Sequence, residues 1–363
     1  MKFSFDYPKK VTLGDITVRD GFQHEEKFIS TDAKVYYAEQ LVLAGFRRIE
    51  VTNLGNPAGM PQFKDAEEVL RRIKTSRTLE KAGIDVKNDV EVTAVTIREK
   101  AVDRAIGLKR AGIGPDRILM MVSTDEEHHF ANSGTTLPEY WRECERCIAK
   151  AKEAGLKVNG TVSTIWGSPI SGPTKMEDAV LFTKRWLEIG ADDVEHADHD
   201  GSASPDQVYR YYSMLLEAIP RPEVHLAHFH VTRGWGLANV LAALQAGVRL
   251  FESTLGGIGG QPANFIDDTP VAGTGDYYYN SKGVGLVSTE DMVLMMEEMG
   301  IETGVDPDRL FKLGRNLERT VGRRLRSYSI LHGRIPKAPN DAYRRKGLKE
   351  RKISLGEEEG QRF

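Results

Sequence analysis

The sequence of 363 residues lacks several features that would place it in a common class of protein. No stretch approaches the roughly 20 apolar residues needed to cross a bilayer, and the N-terminal residues MKFSFDYPKK lack the apolar core of a signal peptide. Basic and acidic residues number 50 and 53, so no net field recruits nucleic acid or an anionic membrane. We therefore expect a cytoplasmic protein that acts on a small molecule and binds neither nucleic acid nor membrane.

Cysteine is almost absent, since Cys144 and Cys147 are the only two. A CxxC spacing near a strand–helix pattern can form a redox pair or half of a metal site. Here it lies among Arg, Glu and Lys in a helical pattern, and neither a second CxxC nor a nearby histidine completes a site. We interpret both thiols as structural.

The sequence does contain a regular alternation of β-branched runs with amphipathic stretches that end in small residues. Eight strands are predicted, at residues 11–19, 47–51, 89–95, 117–122, 157–163, 193–196, 223–228 and 248–253. Seven helices are predicted between them, at residues 31–44, 65–75, 98–111, 137–154, 175–189, 204–219 and 236–246. Alternation indicates a parallel sheet, and eight strands favour a closed (β/α)8 TIM barrel over a doubly wound open sheet.

The pattern changes after about residue 300. The segment DPDRLFKLGRNLERTVGRRL is helical in pattern, and the residues beyond it are rich in Lys, Arg and Glu. We therefore divide the chain into a barrel at residues 1–310 and a C-terminal helix with a charged tail at residues 311–363. The tail is either disordered or an ordered arm on a neighbouring subunit.

The segment LAHFHVTRGWGLAN carries two histidines two residues apart at the end of a predicted strand. Because side chains alternate along a strand, His228 and His230 point to the same side. The C-terminal ends of barrel strands carry the chemistry in this fold, and two imidazoles there can chelate one cation. The alternative is that each is a hydrogen-bonded core or surface histidine.

A carboxylate for this site is offered by the segment ITVRDGFQHEE, in which Asp20 follows a short β-rich run. With His228 and His230 it forms a mixed oxygen and nitrogen set suited to Mg²⁺, Mn²⁺, Co²⁺ or Zn²⁺, with positions left for substrate or water. The adjacent Arg19 can stabilise an enolate or bind a carboxylate, unless it is paired at the surface. The set predicts a catalytic divalent metal site.

These motifs occur with others in a characteristic order, which includes RRIEVTN, VNGTVSTIWGSP, STLGGIGGQP and STEDMVLMMEEMGIETGVD. The chain resembles the 3-hydroxy-3-methylglutaryl-CoA (HMG-CoA) lyases, a branch of the metal-dependent DRE-TIM superfamily that also contains isopropylmalate and homocitrate synthases. The resemblance covers about residues 11–310. It implies a TIM barrel, a divalent metal cofactor, a homo-oligomer and the cleavage of a β-hydroxy acid or its acyl-CoA thioester.

The resemblance also implies roles for individual residues. It assigns the three predicted ligands to the metal, and Arg19 to the carbonyl of the substrate and the enolate formed from it. The residues matched to other active-site positions are Gln23, Glu50 and Asp198. For Glu50 and Asp198, a structural role as an ion-paired or hydrogen-bonded residue is an equal alternative.

Three departures from the family pattern fall near the reactive face. Gln261 stands where the lyases carry a loop cysteine, and a carboxamide does not titrate, so it cannot transfer the proton. Gly285 and Leu286 stand where an asparagine ligand of the metal is expected, which leaves Asn264 or water as the replacement. The segment between the GGIGGQP and STED motifs is longer than the pattern requires, and such a loop is a candidate lid.

The motif HADHDG replaces the family's GDTIG pattern and introduces His199. Histidine titrates near neutral pH, so His199 is a candidate proton carrier in place of the missing cysteine. The alternative is a solvated loop histidine.

We therefore interpret the chain as a divalent-metal-dependent carbon–carbon lyase, with an acyl-CoA substrate implied by the resemblance alone. A condensing synthase is one alternative, although its usual GERAGN-type motif is absent. A biotin-dependent carboxyltransferase is another, but the chain has no MKM biotinylation motif and no lysine placed as a metal ligand. A non-catalytic barrel that serves as a binding protein is the last alternative.

Overall fold

The computed structural model describes residues 6–168, 170–260, 265–266, 269–270 and 285–335. Eight parallel strands follow one another in chain order, and the first also pairs with the eighth, which closes the barrel. The prediction of a (β/α)8 TIM barrel is confirmed. The strands are β1 (Thr12–Asp15), β2 (Arg48–Asn53), β3 (Glu91–Val95), β4 (Arg117–Ser123), β5 (Lys157–Ser163), β6 (Asp193–Asp198), β7 (His225–Phe229) and β8 (Leu250–Ser253).

Helices lie between the strands, and further helices follow the last strand. All seven predicted helices are present with bounds that differ by a few residues, and four further helices, Arg77–Lys81, Glu126–Ser133, Thr289–Glu298 and Tyr328–His332, were not predicted. The α-helices of the described residues are α1 (Thr31–Leu43), α2 (Ala66–Lys74), α3 (Arg77–Lys81), α4 (Glu99–Arg110), α5 (Glu126–Ser133), α6 (Leu137–Glu153), α7 (Met176–Glu188), α8 (Pro205–Ala218), α9 (Gly236–Ala246), α10 (Thr289–Glu298), α11 (Pro307–Val321) and α12 (Tyr328–His332).

Strand β5 shows how the sequence divides side chains between the two faces of the barrel. Val158 and Val162 belong to the apolar core between strands and helices. Gly160 lies on the same face, where an added Cβ would collide with the ring of Trp186. Thr161 points the other way and lines the cavity at the barrel mouth. This period of two places apolar groups under the helices and polar groups in the barrel interior.

The predicted first strand is too long. Strand β1 ends at Asp15, and a π-helical turn, Thr17–Gly21, follows it. The carboxylate of Asp15 accepts the backbone N–H of Thr17 at 2.8 Å, and the carbonyl of Ile16 accepts the N–H of Asp20 at 2.8 Å. These local bonds replace the ladder to β8, which ends at the pair Asp15 and Ser253. Arg19 and Asp20 therefore lie on a helical turn above the strand.

The predicted seventh strand is shifted in the structure. Pro222–Val224 forms a short 3-10 helix, in which the missing N–H of proline costs no hydrogen bond. The strand β7 runs from His225 to Phe229, and His230 follows it in an isolated bridge with Leu286. His228 therefore lies on the strand, and His230 lies one residue beyond its end.

The C-terminal region is helical as far as it is described. Asp291 holds the start of α12, because its carboxylate accepts the Ser327 hydroxyl at 2.9 Å and the Ser329 N–H at 2.7 Å. The domain division after residue 310 stays a prediction, and residues 336–363 of the predicted tail lie outside the described residues. Among the described helices, none is long and apolar enough to span a membrane.

The cysteine pair lies on helix α6, as the sequence pattern indicates. Both thiols are buried and neither forms a disulfide. Burial raises the pKa of Cys147 to about 12, so the reactive thiolate is not populated at neutral pH. This environment agrees with a structural role.

Candidate active site

The C-terminal mouth of the barrel brings together the three predicted metal ligands. Asp20 comes from the turn after β1, His228 from β7, and His230 from the residue that follows that strand. One potential ligand atom from each residue lies within 4.8 Å of the other two, and all three residues are buried. The imidazole centroids are 5.1 Å apart. Asp20 therefore converges with two histidines that lie 208 and 210 positions after it in the sequence.

Two polar atoms of this set have no hydrogen-bond partner among the described residues. They are Oδ1 of Asp20 and Nδ1 of His230, and both are fully buried. A buried polar atom without a partner costs about 1–3 kcal/mol, so such atoms need a ligand. Burial holds the pKa of His230 well below its ordinary value, which keeps the imidazole neutral and its lone pair available. The donor set therefore fits a divalent cation.

The orientation of His228 depends on two glutamates that no sequence motif indicated. Nδ1 of His228 lies 2.6 Å from Oε1 of Glu252 and 3.6 Å from Oε1 of Glu195. When Nδ1 donates to Glu252, Nε2 carries the lone pair that a metal ligand requires. Both glutamates are isolated residues on β8 and β6, so no local spacing reveals them. Only the closed barrel brings them beneath His228.

Arg19 is held by carboxylates on two sides. Nη1 lies 2.7 Å from Oδ2 of Asp20, and Nε donates to Oε1 of Glu50. Burial alone would lower the pKa of Arg19, but the two carboxylates outweigh it and raise that pKa, so the guanidinium stays charged. Burial would raise the pKa of Asp20, and the charge of Arg19 overcomes this and lowers it. Glu50 therefore positions Arg19.

A cavity of about 1130 Å³ opens at this mouth. The predicted site residues that line it are Arg19, Asp20, Gln23, His199, His228 and His230. Gln23 is tied to the site by Oε1, which lies 3.5 Å from Nη1 of Arg19. Of the predicted residues, Glu50 and Asp198 lie outside this lining. The structure thus brings six of the eight predicted residues to one cavity.

Asp198 lies at the end of β6, and its carboxylate faces its own turn. Oδ1 accepts the N–H of Ser202 at 3.0 Å, and Oδ2 accepts the N–H of Ala203 at 3.3 Å. Burial raises the pKa of Asp198 to about 7, although these backbone donors oppose the rise. The contacts favour the structural alternative for Asp198, as the residue that shapes the loop carrying His199.

His199 is buried, in contrast to the alternative of a solvated loop histidine. Its Nε2 lies 3.2 Å from Nε2 of His128, a residue of α5 that sequence reasoning missed. Burial lowers the pKa of His199, so its imidazole is neutral at neutral pH. The place of this histidine on the cavity wall is suitable for proton transfer.

The departures from the family pattern are only partly described. Leu286 is buried, and its contribution is a backbone bridge beside His230, so its side chain supplies no metal ligand. Gln261 and Asn264 lie outside the described residues, as does most of the predicted lid. Two short antiparallel strands, Phe265–Ile266 and Thr269–Pro270, belong to that segment.

Comparison with known proteins identifies the family. A family model described as HMGL-like matches residues 10–317. The hydroxymethylglutaryl-CoA lyase YngG of Bacillus subtilis is 29% identical over 324 residues, which cover 89% of this chain and 97% of that protein. The (R)-citramalyl-CoA lyase of Chloroflexus aurantiacus is 29% identical over 315 residues, which cover 87% and 92%.

The solved structures agree with the sequence relatives. An HMG-CoA lyase from Acinetobacter baumannii, in complex with coenzyme A and 3-methylmalate, superposes with a TM-score of 0.77 at 30% identity. The match covers 94% of this chain and 99% of that one. The predicted resemblance and the prediction of an enzyme are confirmed. The chain belongs to the HMGL-like family of lyases, as a divergent member.

Proposed function

We propose that this protein is a divalent-metal-dependent lyase that cleaves a carbon–carbon bond of a β-hydroxyacyl-CoA thioester. The observation that carries the proposal is the convergence of Asp20, His228 and His230 at the cavity. Two of their buried atoms lack a partner among the described residues, and a charged arginine lies beside them. A barrel that only binds a ligand has no need of this costly arrangement.

The residues at the cavity can each take a separate role in the reaction. A bound metal supplies Lewis-acid chemistry at the oxygens of the substrate. In the described residues, Arg19 uses Nε and Nη1 for its carboxylate partners, which leaves Nη2 to donate to the developing enolate oxygen. His199, neutral and on the cavity wall, accepts the proton of the substrate hydroxyl.

The cavity also supports a substrate that carries phosphate groups. Lys100 and Arg104 line it in addition to the site residues. Arg104 is paired with Glu67 at 2.7 Å, whereas exposed Lys100 makes no ion pair with a described residue, so its charge is available to an anion. The volume of about 1130 Å³ exceeds what a small acid alone would fill. A CoA thioester meets both conditions.

The first experiment measures metal content by elemental mass spectrometry after Mg²⁺, Mn²⁺, Co²⁺ and Zn²⁺ are each offered. We expect about one equivalent in the wild type and none in His230→Ala. The matched control is His332→Ala, which removes an exposed histidine of α12 and leaves the cavity intact. A wild type that retains no metal would overturn the metal-dependent part of the proposal.

The second experiment tests the reaction. A panel of β-hydroxyacyl-CoA thioesters is incubated with the metal-loaded protein, and the products are followed by mass spectrometry. Cleavage is expected to give a shorter acyl-CoA and a free carbonyl compound, which is an oxo acid where the acyl chain carries a second carboxylate, in equal amounts. Cleavage of the free β-hydroxy acid but of none of the thioesters would contradict the assignment of CoA.

A further inference from the structure

A second pair of buried histidines lies at the wall of the cavity, apart from the predicted metal ligands. Nε2 of His199 and Nε2 of His128 are 3.2 Å apart, and the two rings meet edge to face with centroids 4.6 Å apart. Both residues are buried, and His199 lines the cavity whereas His128 lies behind it. Two nitrogens at this distance share one hydrogen, so one ring donates and the other accepts.

The groups behind His128 decide which ring donates. Ser163 donates its hydroxyl hydrogen to the carbonyl of Val122 at 3.3 Å, and a carbonyl can only accept. In the arrangement in which Ser163 donates to Val122, its Oγ accepts from the hydroxyl of Ser123, which lies 2.9 Å away. With its only hydrogen used, Ser123 accepts from Nδ1 of His128 at 2.6 Å. His128 therefore carries its hydrogen on Nδ1 and presents a lone pair on Nε2.

Asn132 does not disturb this order. Its Nδ2 lies 3.1 Å from Nδ1 and 3.4 Å from Nε2 of His128. An atom almost equally far from both ring nitrogens lies over the face of the ring and not along either lone pair, so its contact is of the N–H···π type. The edge of the ring remains free for Ser123 and His199.

We propose that His128 is a positioning residue that holds His199 in the tautomer with hydrogen on Nε2, so that Nδ1 of His199 accepts a proton from the substrate. The inference rests on the proposed function and deepens it by naming the proton acceptor and its support. The lone pair on Nε2 of His128 accepts the Nε2–H of His199. This hydrogen bond strengthens when His199 becomes an imidazolium.

The step balances without any further reagent. The hydroxyl proton of the substrate moves to Nδ1 of His199, and the hydroxyl oxygen becomes a carbonyl as the carbon–carbon bond breaks. The electron pair of that bond passes to the thioester fragment as an enolate. The proton held by His199 then returns to the enolate carbon, which yields the acyl-CoA product and a neutral imidazole.

The tautomer is tested directly by ¹⁵N NMR of the histidine-labelled protein, with the signals of His199 identified from their loss in His199→Asn. We expect Nε2 of His199 to be protonated and Nδ1 to be unprotonated at neutral pH. In His128→Phe the ring nitrogens disappear but an aromatic ring is kept, and we expect the signals of His199 to show a mixture of tautomers. A wild-type His199 protonated on Nδ1 would overturn the inference.

Kinetics then test the consequence for the reaction. We expect His128→Phe to lower kcat by about 10²-fold, within the usual contribution of a positioned acid–base group, and to change KM little. His128→Gln supplies an amide oxygen as acceptor and is expected to restore most of the loss. The double variant His128→Phe/His199→Asn is expected to be no slower than His199→Asn, because His128 acts through His199.

Each result of this comparison has a clear meaning. Metal content equal to that of the wild type shows that the His128→Phe variant is folded at the site. With a cleaving wild type, a His128→Phe variant at wild-type kcat overturns the inference alone. A wild type that cleaves no thioester overturns the proposed function, and the NMR result still decides the tautomer.

Discussion

Two pairs of histidines on neighbouring strands of the barrel have opposite environments. His225 and His196 have a hydrogen-bond partner at every ring nitrogen. Nε2 of His225 donates to the carbonyl of Ile219 at 3.1 Å, and Nδ1 of His225 accepts from Nε2 of His196 at 3.2 Å. Nδ1 of His196 accepts from the Tyr211 hydroxyl at 2.8 Å. Nδ1 of His230, by contrast, is buried and has no hydrogen-bond partner in the described part of the chain.

The difference shows how to separate structural histidines from ligands. His225 and His228 lie three positions apart on β7, so the alternation of the strand sends them to opposite faces. On the outer face, every nitrogen of His196 and His225 has a partner, and the pair is complete as it is. On the inner face, a nitrogen and a carboxylate oxygen that have no partner among the described residues converge, and a further ligand would complete the set.

The largest expected effect comes from the inner set. In Asp20→Asn the carboxylate is lost from the proposed metal site, and we expect kcat/KM for thioester cleavage to fall by about 10³-fold or more, because the metal supplies several kcal/mol to the transition state. The thermal unfolding midpoint is expected to stay near that of the wild type. Retained activity in this variant would contradict the proposal that the inner face holds a catalytic metal whereas the outer face is structural.

A smaller effect is expected one layer below the metal site. Glu252→Ala removes the carboxylate that orients His228, and we expect the dissociation constant of the metal to rise by about 10- to 100-fold. The matched variant is Glu195→Ala, because this second buried glutamate lies 3.6 Å from the same nitrogen and not 2.6 Å. Metal titration by calorimetry compares the two, and equal losses would show that the shorter contact has no special role.

On the outer face the expected effect is on stability. His196→Phe removes the acceptor of the Tyr211 hydroxyl and leaves Nδ1 of His225 without its donor, so we expect the free energy of unfolding to fall by about 2 kcal/mol. Urea denaturation measures the loss, and metal content serves as the control. A loss of metal without a loss of stability would contradict the proposal that the outer histidines stabilise the fold and the inner set binds the metal.

The last expected effect is a dependence of stability on pH. Burial lowers the pKa of His196 and His225, and it lowers that of His129 to about 4 from 6.5. Below pH 6.5 the unfolded chain takes up protons that the folded protein does not bind, so stability is complete above pH 6.5 and falls as pH decreases toward 4. Each histidine contributes at most about 1.4 kcal/mol per pH unit. Urea denaturation should show a shallower decline in His196→Phe than in the wild type.

Much of the barrel and of the site could be predicted because the signals are local. The alternation of apolar residues marked all eight strands, and the spacing of two between His228 and His230 placed both on one face. The errors at β1 also have a local cause, since β-branched residues such as Thr17 and Val18 favour a strand. In the closed barrel the ladder between β1 and β8 ends at Asp15. The Asp15 carboxylate accepts a hydrogen bond from the backbone N–H of the turn that follows.

The missed residues carry no such signal. Glu252 occurs singly in its strand, and His128 occurs in a charged segment. Neither segment contains a pattern that indicates the residue's hydrogen-bond partner. His128 acquires its role from contacts with Ser123, which is near in sequence, and with His199, which is 71 residues away. Pairing over that distance depends on the positions of separate strands, and no spacing along the chain records it.

The sequence by itself determined the parallel barrel, the strand ends that carry chemistry and the residue types that could hold a metal, because period, caps and motifs act over a few residues. The tertiary structure alone decided which polar atoms are satisfied. It gave each nitrogen of His196 and His225 a partner and placed His128 against His199. Within the described ranges it left Oδ1 of Asp20 and Nδ1 of His230 without a partner. That outcome depends on barrel closure, which fixes distances between residues that the chain itself keeps far apart.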